Sequence, residues 1–314
     1  MEKKLKMPFF SVVIPVYNKG PHIARSIKSV LNQTFTNFEL IIVCDPSTDN
    51  SNAEVDKFTD SRIHVYHRNE PGPGGYAARN LGIEKAKAKW VAFLDADDEW
   101  YSQHLELAYK KSHIYQINVV CFSYEVFGAK KYQNRVRSIC NEKDLVLSCL
   151  ETINFLKDSD IFHTNAILIK KNVLKKSGFF PSGNNYKRGG DVDTWLRVVL
   201  SESKILFCPE VTSFYNFENS GVIANKANAL SPQPLVDTVA KFLPLINDKS
   251  LKRNLQILSN RKSISLIYDL KCLKEFRRSE LKKIHCRALN YKQVVRLVIL
   301  VFFPISIYDY LSNK

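Results

Sequence analysis

The sequence predicts an α/β fold, in which a mostly parallel sheet is flanked by helices and followed by a helical C-terminal extension. Two observations predict it. Short apolar runs rich in β-branched residues are typical of strands covered on both faces, and here they alternate with segments of helical periodicity. The chain has 314 residues, of which 45% are hydrophobic and 25% charged. It can therefore bury a substantial core, which excludes wholesale disorder.

The first hundred residues alternate between predicted strands and predicted helices. Strands are expected at 10–17, 38–44, 63–67 and 90–94, and helices at 19–32, 51–59 and 77–88. Later strands are expected at 119–126 and 166–169, and later helices at 192–201, 235–246 and through most of 251–300. Apolar strands joined by helices favour a parallel, doubly wound sheet. The polar, proline-containing segment 225–234 predicts a boundary between a domain at 1–224 and a second region at 225–314.

The positive charge of the chain is concentrated at its C-terminal end. Residues 1–248 hold 31 basic and 27 acidic residues, whereas residues 249–314 hold 15 and 4. The tail lacks a recognisable nucleic-acid-binding motif, so we expect no nucleic acid partner.

The cysteines and the apolar segments indicate the compartment. Seven cysteines without a C-x-x-C pair predict buried free thiols in a reducing cytosol rather than a disulfide framework or a zinc site. The N-terminal segment has no secretory signal, and the longest apolar run, 297–308, is broken by Pro304 and shorter than the roughly 20 residues of a membrane span. We expect a cytoplasmic protein.

Polar residues follow each of the first four predicted strands. Because parallel strands place their carboxyl ends at one edge of a sheet, where ligands bind, these residues are expected to converge. They are Pro15, Tyr17 and Asn18 after the first strand, Asp45 after the second, the segment 69–75 after the third, and Asp95, Asp97 and Asp98 after the fourth.

The acidic cluster predicts a cation site. Three carboxylates within four residues repel one another unless a cation compensates them, and a divalent metal is the natural partner. The alternative is that Asp97 and Asp98 cap a helix beginning near Trp100.

The glycine-rich segment Pro-Gly-Pro-Gly-Gly matches neither G-x-G-x-x-G nor a P-loop, which excludes the usual dinucleotide and Walker-type sites. It is expected to form a mobile loop ahead of the helix at 77–88. Arg79, in the first turn of that helix, could reach a phosphate; the alternative is a solvated surface arginine.

Four motifs in register, SVVIPVYN, IIVCDPSTDN, GGYAARN and WVAFLDADD, resemble those of the family 2 glycosyltransferases with the A-type fold. The resemblance covers residues 9–100, continues more loosely through GGDVDTWLRV to about residue 215, and does not cover the tail. It implies a Rossmann-like nucleotide-sugar-binding sheet, the GT-A fold. The nucleotide-binding part would lie at about 9–100 and the acceptor part at about 101–224.

The resemblance implies roles for nine residues. Pro15, Tyr17 and Asn18 would line the nucleotide pocket, Asp45 would contact the base and Arg79 would lie beside the nucleotide.

The remaining four residues concern the chemistry. Asp95 would face the ribose and Asp97 would bind Mn²⁺ or Mg²⁺, with Asp98 as a helper. Asp191 would be the catalytic base of an inverting enzyme, although a helix N-cap ahead of Val192 is the alternative from the residues alone.

The sequence departs from the family pattern at two motifs. Cys44 and Pro46 flank Asp45 where the family usually has a second acid and a glycine, which affects the expected base specificity. Gly190 precedes Asp191 where a glutamate is usual, and Lys187 and Arg188 could stabilise the Asp191 anion or bind a phosphate of the acceptor.

His163 is favoured as a satisfied structural histidine and the aromatic cluster 214–217 as core, with acceptor binding as the alternative for both.

The activity implied by the resemblance is the metal-dependent, inverting transfer of one sugar from a nucleotide-sugar, most often a UDP-sugar, to a lipid-linked or growing surface glycan such as lipopolysaccharide or capsule. A single addition is expected because the Q-x-x-R-W motif of processive synthases is missing. The alternatives are a polyprenyl-phosphate glycosyltransferase and a catalytically silent, membrane-associated scaffold.

The basic tail has two interpretations. It could lie on an anionic membrane surface, which would make the protein peripheral on the inner face of the cytoplasmic membrane. Alternatively, it could form a helical bundle packed on the catalytic domain.

Overall fold

A computed structural model describes residues 7–127, 135–183, 186–216 and 231–312. Nine strands in these residues form one sheet, in the order β3-β2-β1-β4-β8-β6-β9-β5, with β7 also paired to β9. The strands are β1 (Phe10–Val16), β2 (Phe38–Cys44), β3 (Ile63–His67), β4 (Trp90–Phe93), β5 (Glu99–Trp100), β6 (Val119–Phe127), β7 (Leu145–Ser148), β8 (Ile167–Lys170) and β9 (Lys204–Asn216).

Helices cover both faces of the sheet and continue beyond it. They are α1 (Gly20–Leu31), α2 (Ser51–Asp56), α3 (Tyr76–Lys85), α4 (His104–Tyr115), α5 (Arg135–Cys140), α6 (Cys149–Leu156), α7 (Lys171–Ser177), α8 (Gly190–Ser201), α9 (Pro234–Phe242), α10 (Lys249–Cys272), α11 (Tyr291–Phe302) and α12 (Ile305–Ser312).

The first half of the sheet is parallel, as predicted. β1 pairs in parallel with β2 on one side and with β4 on the other, and β2 pairs in parallel with β3. Apolar side chains on the two faces of these strands belong to two separate buried clusters, represented by Val13 and Val12. Both faces are therefore covered, which is the physical reason for the continuous apolar runs.

The second half of the sheet is mixed, and here the prediction of a parallel, doubly wound sheet is incomplete. β8 is antiparallel to both β4 and β6, and the short strands β5 and β7 were not predicted. The long strand β9 was not predicted either, because Pro209 interrupts its apolar pattern. In the ladder, Phe122 pairs with Cys208 but Ser123 pairs with Val211, so the irregularity omits Pro209 from the pairing.

The helical C-terminal extension is present, and its first two helices pack on the α/β sheet. Leu235 and Val239 of α9, with Leu255 and Leu258 of α10, belong to the buried cluster that covers one face of the sheet. The predicted boundary between residues 224 and 225 lies outside the described residues. The later tail has a small cluster of its own, formed by Ile264, Ile267, Ile284 and Leu300.

Two further expectations, on membrane-spanning helices and on buried thiols, can be compared with the structure. Among the helices described, none has both the length and the apolar character needed to cross a bilayer. The prediction of buried thiols is wrong for Cys272 and Cys286, which are exposed, whereas Cys44, Cys121, Cys140 and Cys208 are buried and Cys149 is half-buried.

Candidate active site

A cleft of about 670 Å³ opens where β1, β2 and β4 end, at the carboxyl edge of the parallel half of the sheet. Its volume is typical of a small-molecule site. Eight of the nine residues for which the sequence implies a role line this cleft: Pro15, Tyr17, Asn18, Asp45, Arg79, Asp95, Asp97 and Asp191. Their individual roles remain predictions.

The loop after β1 is fastened to the loop after β2. Asn18 has a left-handed backbone (φ 50°), and its side-chain oxygen accepts a hydrogen bond from the Thr48 backbone N–H at 2.8 Å. In return, the Asn18 N–H donates to the Ser47 hydroxyl at 3.1 Å. This pairing leaves the Tyr17 side chain 47% exposed at the cleft, where its ring can stack on a planar ligand.

Asp45 lies at the base of the cleft with both carboxylate oxygens engaged. Arg68 Nη1 donates to one oxygen at 2.6 Å and the Gly72 backbone N–H donates to the other at 3.1 Å. Asp45 therefore ties the glycine-rich loop to the end of β2. Neither neighbour of Asp45 that departs from the family pattern belongs to the described lining of the cleft. Cys44 is buried in the core, and Pro46 is exposed.

The glycine-rich segment, predicted as a mobile loop, forms a short 3₁₀ turn at Pro73–Gly75 that leads directly into α3. Gly74 and Gly75 both have positive φ, 64° and 69°, which glycine adopts without strain. Arg79 Nη1 donates to the Gly74 carbonyl at 2.9 Å, and the same guanidinium pairs with the carboxylate of Asp95. The alternative of a solvated surface Arg79 is wrong, since this residue is 7% exposed.

Each of the two aspartates in the cleft that follow β4 is paired with a cation of the protein. Asp95 pairs with Arg79, and Asp97 pairs with the ammonium of Lys19. Burial raises the pKa of Asp97, and the Lys19 charge partly offsets this. The alternative that Asp97 caps a helix near Trp100 is wrong, because Glu99–Trp100 forms β5 and α4 begins at His104.

Asp98, predicted as a helper of the acid pair, is fully buried and absent from the described cleft lining. It accepts hydrogen bonds from the Asn216 backbone N–H, at 2.7 Å, and from the Asn165 side chain. Burial, with the nearby Asp95 and Asp97 charges, raises its pKa to about 8. Asp98 thus joins the acidic loop to β9 and supports the loop from behind.

Asn165 is a positioning residue that the sequence did not reveal. Its side-chain oxygen accepts from the Asp95 N–H at 2.8 Å, while its side-chain amide donates to Asp98. Its backbone carbonyl accepts from the Trp100 indole at 2.7 Å. One buried amide therefore holds both ends of the acidic segment, a role that depends on β8 lying beside β4.

The acid pair suits a divalent cation. Asp95 and Asp97 present carboxylate oxygens, which are the ligands that Mn²⁺ and Mg²⁺ prefer. The Lys19 ammonium already marks a position where positive charge is stabilised beside Asp97. Elsewhere in the described residues, Asp144, Cys208 and Glu210 also approach one another. Lys111 pairs with Asp144 at 2.6 Å and with Glu210 at 2.7 Å, so a lysine compensates that cluster.

Asp191 lies in the first turn of α8. Gly189 occupies the N-cap position with φ 74°, so the alternative of Asp191 as the N-cap is wrong. Burial raises the pKa of Asp191, with the charges of Arg79 and Lys262 acting in the opposite direction. A carboxylate with a raised pKa is a stronger base than an ordinary aspartate once it is ionised.

Tyr76 holds the backbone just before Asp191, a contact that no sequence pattern indicates. The Gly190 N–H donates to the Tyr76 hydroxyl at 2.9 Å. A Cβ on residue 190 would lie 2.6 Å from the Tyr76 ring, which explains why glycine stands where the family usually has glutamate. The absence of a side chain at Gly190 thus leaves room for the aromatic ring of Tyr76.

Arg188 pairs with Asp269 of α10. Its suggested role in stabilising the Asp191 anion stays a prediction. Its guanidinium still lines the cleft, so its alternative role towards an acceptor phosphate stays a prediction. The Lys187 backbone N–H donates to the Ser231 hydroxyl at 2.7 Å.

His163 lines the cleft between two tyrosines. Its ring centroid lies 4.2 Å from that of Tyr124 and 4.8 Å from that of Tyr215. Burial lowers the pKa of His163 to about 4, so the imidazole is neutral at physiological pH. Phe217 of the predicted aromatic cluster lies outside the described residues.

Comparison with known proteins identifies the family. The model described as "Glycosyl transferase family 2" matches residues 11–177. Over 224 residues the chain is 38% identical to the UDP-Glc:alpha-D-GlcNAc-diphosphoundecaprenol beta-1,3-glucosyltransferase WfgD of Escherichia coli, a match that covers 71% of this chain and 83% of that protein. Shorter matches to two Rickettsia proteins named as uncharacterized glycosyltransferases span only 14% and 16% of their lengths.

Solved structures show the same fold. The S. aureus TarS fragment in complex with UDP-GlcNAc superimposes with a TM-score of 0.70 at 17% identity and covers 89% of this chain and 82% of that chain. The mannosyltransferase PcManGT from Pyrobaculum calidifontis, in complex with GDP-Man and Mn2+, gives a TM-score of 0.57 at 18% identity, with 99% and 89% covered.

Proposed function

The chain belongs to glycosyl transferase family 2, and we propose that it transfers one sugar from a UDP-sugar to a lipid-linked glycan, with inversion and with Mn²⁺ or Mg²⁺ bound. The observation that carries the proposal is the meeting of Asp191 and the acid pair Asp95 and Asp97 in one cleft. Such a cleft holds both a base for the acceptor and a charged site for the leaving diphosphate.

The donor is proposed to lie along the loops after β1 and β2. Tyr17 supplies an exposed ring for stacking, and Arg79 supplies a buried guanidinium beside Asp95. WfgD is named as a UDP-Glc transferase and TarS is described with UDP-GlcNAc, which supports a UDP-sugar and makes UDP-glucose the first donor to test.

The metal is proposed to be held by Asp97, with Asp95 beside it. When bound, a divalent cation stabilises negative charge that develops on the leaving diphosphate. Lys19 would then have to leave the Asp97 carboxylate, and its ammonium, released within the cleft, could pair with a phosphate oxygen. The Mn2+ in the PcManGT complex supports a metal in this fold.

Asp191 is proposed as the general base. Its ionised carboxylate accepts the proton of an acceptor hydroxyl while that oxygen bonds to the anomeric carbon on the face opposite the phosphate. The anomeric C–O bond breaks as the new bond forms, and its electron pair leaves with UDP. The configuration at the anomeric carbon therefore inverts.

The acceptor is proposed to be a sugar linked to a polyprenyl diphosphate, in a pathway that builds a surface polysaccharide such as lipopolysaccharide or capsule. The name of WfgD, which specifies GlcNAc-diphosphoundecaprenol, supports this class. His163 and Tyr215 in the cleft offer a neutral aromatic surface of the kind that stacks on sugar rings.

The test is a transfer assay with radiolabelled UDP-glucose and other UDP-sugars, offering either a GlcNAc-diphospholipid or a polyprenyl phosphate. We expect product on the diphospholipid only, and product on the phosphate alone would favour the polyprenyl-phosphate alternative.

Asp191→Asn should leave UDP binding intact and reduce transfer by at least about 1,000-fold, since it removes the base and the charge. Asp158→Asn, an exposed aspartate on the surface, is the matched control.

Failure of transfer with every donor, together with intact metal-dependent UDP binding, would favour the scaffold alternative. Substantial transfer by Asp191→Asn would place the base elsewhere.

A further inference from the structure

The last two helices present a continuous group of large apolar side chains to the solvent. We define the C-terminal apolar face as the exposed residues Tyr291, Val294, Val298, Phe302, Phe303, Ile307 and Tyr310 of α11, α12 and the bend between them. Tyr291 is 82% exposed and Phe302 is 75% exposed. Isolated exposed apolar residues are ordinary, but a group of seven on adjacent turns marks an interaction surface.

Helical periodicity shows that this face is distinct from the one that packs on the protein. Tyr291, Val294, Val298 and Phe302 follow the spacing of a single helix face. On the other side of α11, Leu300 is fully buried and the Gln293 amide donates to the Ile257 carbonyl of α10 at 2.8 Å. A surface helix normally has one apolar side, whereas α11 has two, so packing on α10 does not account for the outward one.

Basic residues outnumber acidic residues in the segment that carries the face. Residues 271–312 contain nine lysines and arginines but three acidic residues. Lys292 and Arg296 are exposed along one edge of α11, between its inward and outward sides. The acidic residue nearest to the face, Asp309, accepts a hydrogen bond from the Tyr268 hydroxyl at 2.9 Å. The complementary partner is therefore apolar at its centre and negatively charged around it.

The length of α11 decides whether this helix could span a bilayer or could only lie at its surface. Its 12 residues extend about 18 Å, well short of the ~30 Å hydrocarbon core of a bilayer. A helix of this kind, with an apolar side and flanking lysines and arginines, lies in the plane of a membrane interface.

We propose that the C-terminal apolar face inserts into the interface of an anionic lipid bilayer, with Lys292 and Arg296 at the level of the headgroups. The residues that make the contact follow from exposure and charge alone; only the identity of the bilayer, as the one that carries the acceptor, rests on the proposed function. A second copy of the chain is the less favourable occupant. A two-fold interface through this face would bring the same basic edge of both copies together.

The C-terminal apolar face is connected to the cleft through α10. Asp269 of α10 pairs with Arg188 in the cleft lining, and two residues later Lys271 donates to the carbonyls of Leu300 and Phe303. Residues two apart point to nearly opposite sides of a helix, so α10 lies between the cleft and the helices α11 and α12. A membrane-bound chain would hold its cleft about one helix layer, roughly 10 Å, beyond α11.

The experiment is vesicle co-sedimentation of the full chain without donor or acceptor, so its outcome does not depend on the transfer assay. Vesicles of pure phosphatidylcholine are compared with vesicles of equal parts phosphatidylcholine and phosphatidylglycerol. The variant Tyr291→Ser with Phe302→Ser removes two exposed side chains of the face. The matched control is Ile114→Ser with Leu245→Ser, whose side chains are similarly exposed, 72% and 77%, on α4 and in the turn after α9.

We expect the wild-type chain and the control to bind the anionic vesicles, and binding to weaken with salt. The face variant should lose at least about tenfold in affinity. Lys292→Gln with Arg296→Gln should lose about 30-fold in affinity on anionic vesicles only, since each cation near the surface contributes about 1 kcal/mol separately. All variants should unfold at wild-type denaturant concentrations, because these side chains are exposed.

Equal vesicle binding by the wild-type chain and the face variant would overturn the proposal. So would a wild-type dimer, detected by sedimentation velocity, that the face variant dissociates, because the face would then join two copies of the chain. Failure of sugar transfer with intact vesicle binding would count against the proposed function alone.

Discussion

Replacing Gly190 by alanine should disturb the active site through Tyr76. The backbone of Gly190 lacks a positive φ, so alanine meets no conformational penalty there. Its Cβ would, however, lie 2.6 Å from Cζ of Tyr76 and 2.9 Å from Cγ of Pro181. The ring must move by about 1 Å to reach ordinary van der Waals distance.

The size of the effect follows from this overlap. Overpacking a close-packed site costs about 1–3 kcal/mol, and weakening the hydrogen bond between the Gly190 N–H and the Tyr76 hydroxyl adds about 0.5–1.5 kcal/mol. Higher helix propensity of alanine offsets up to about 1 kcal/mol. We expect Gly190→Ala to lower the free energy of unfolding by about 1–3 kcal/mol. Because Asp191 is the next residue, a shift of about 1 Å could reduce kcat up to about 100-fold.

The assay is urea unfolding of a double-mutant cycle with Tyr76→Ala, combined with kcat for each variant that stays folded. Tyr76→Ala alone should cost about 3–5 kcal/mol, but Gly190→Ala should cost about 1–2 kcal/mol less in its presence. Some cost remains because Pro181 stays close. Gly183→Ala is the matched control, since a Cβ there meets nothing within 4 Å. A Gly190→Ala cost that is identical in both backgrounds would refute the steric coupling to Tyr76.

Two further predictions concern the aspartates of the cleft. Asp97→Ala should abolish the Mn²⁺ dependence of UDP binding in calorimetric titrations, whereas the exposed control Asp56→Ala should retain it; unchanged Mn²⁺ dependence in Asp97→Ala would remove this residue from the metal site. Because burial raises the pKa of Asp191 and a base must be ionised, kcat should fall as the pH drops through a midpoint above the value of about 3.9 typical of aspartate, and a midpoint at or below that value in the pH profile would contradict the assignment.

The sequence predicted the half of the sheet whose strands can be recognised from short stretches of residues. The strands β1, β2 and β4 are short apolar runs followed by polar turns, and parallel pairing brings their ends to one edge. That is why the cleft-lining residues that follow these strands meet at one edge, whereas Arg79 and Asp191 reach the same cleft from α3 and α8. The mixed half of the sheet has weaker local signals, because a register irregularity accommodates Pro209 in β9 and no periodicity reveals it.

The supporting contacts of the site could not be predicted because each joins residues that are distant in sequence. Asn165 reaches Asp95 and Asp98 only because β8 runs antiparallel beside β4, a pairing that apolar patterns do not specify. Tyr76 and Gly190 lie 114 positions apart, so a glycine that departs from the family motif looks like a loss when it is read alone. In the structure that glycine creates the space for an aromatic ring that holds the backbone of the proposed base. Whether a departure from a motif weakens a functional assignment can therefore be judged only when the residues packed against that position are known.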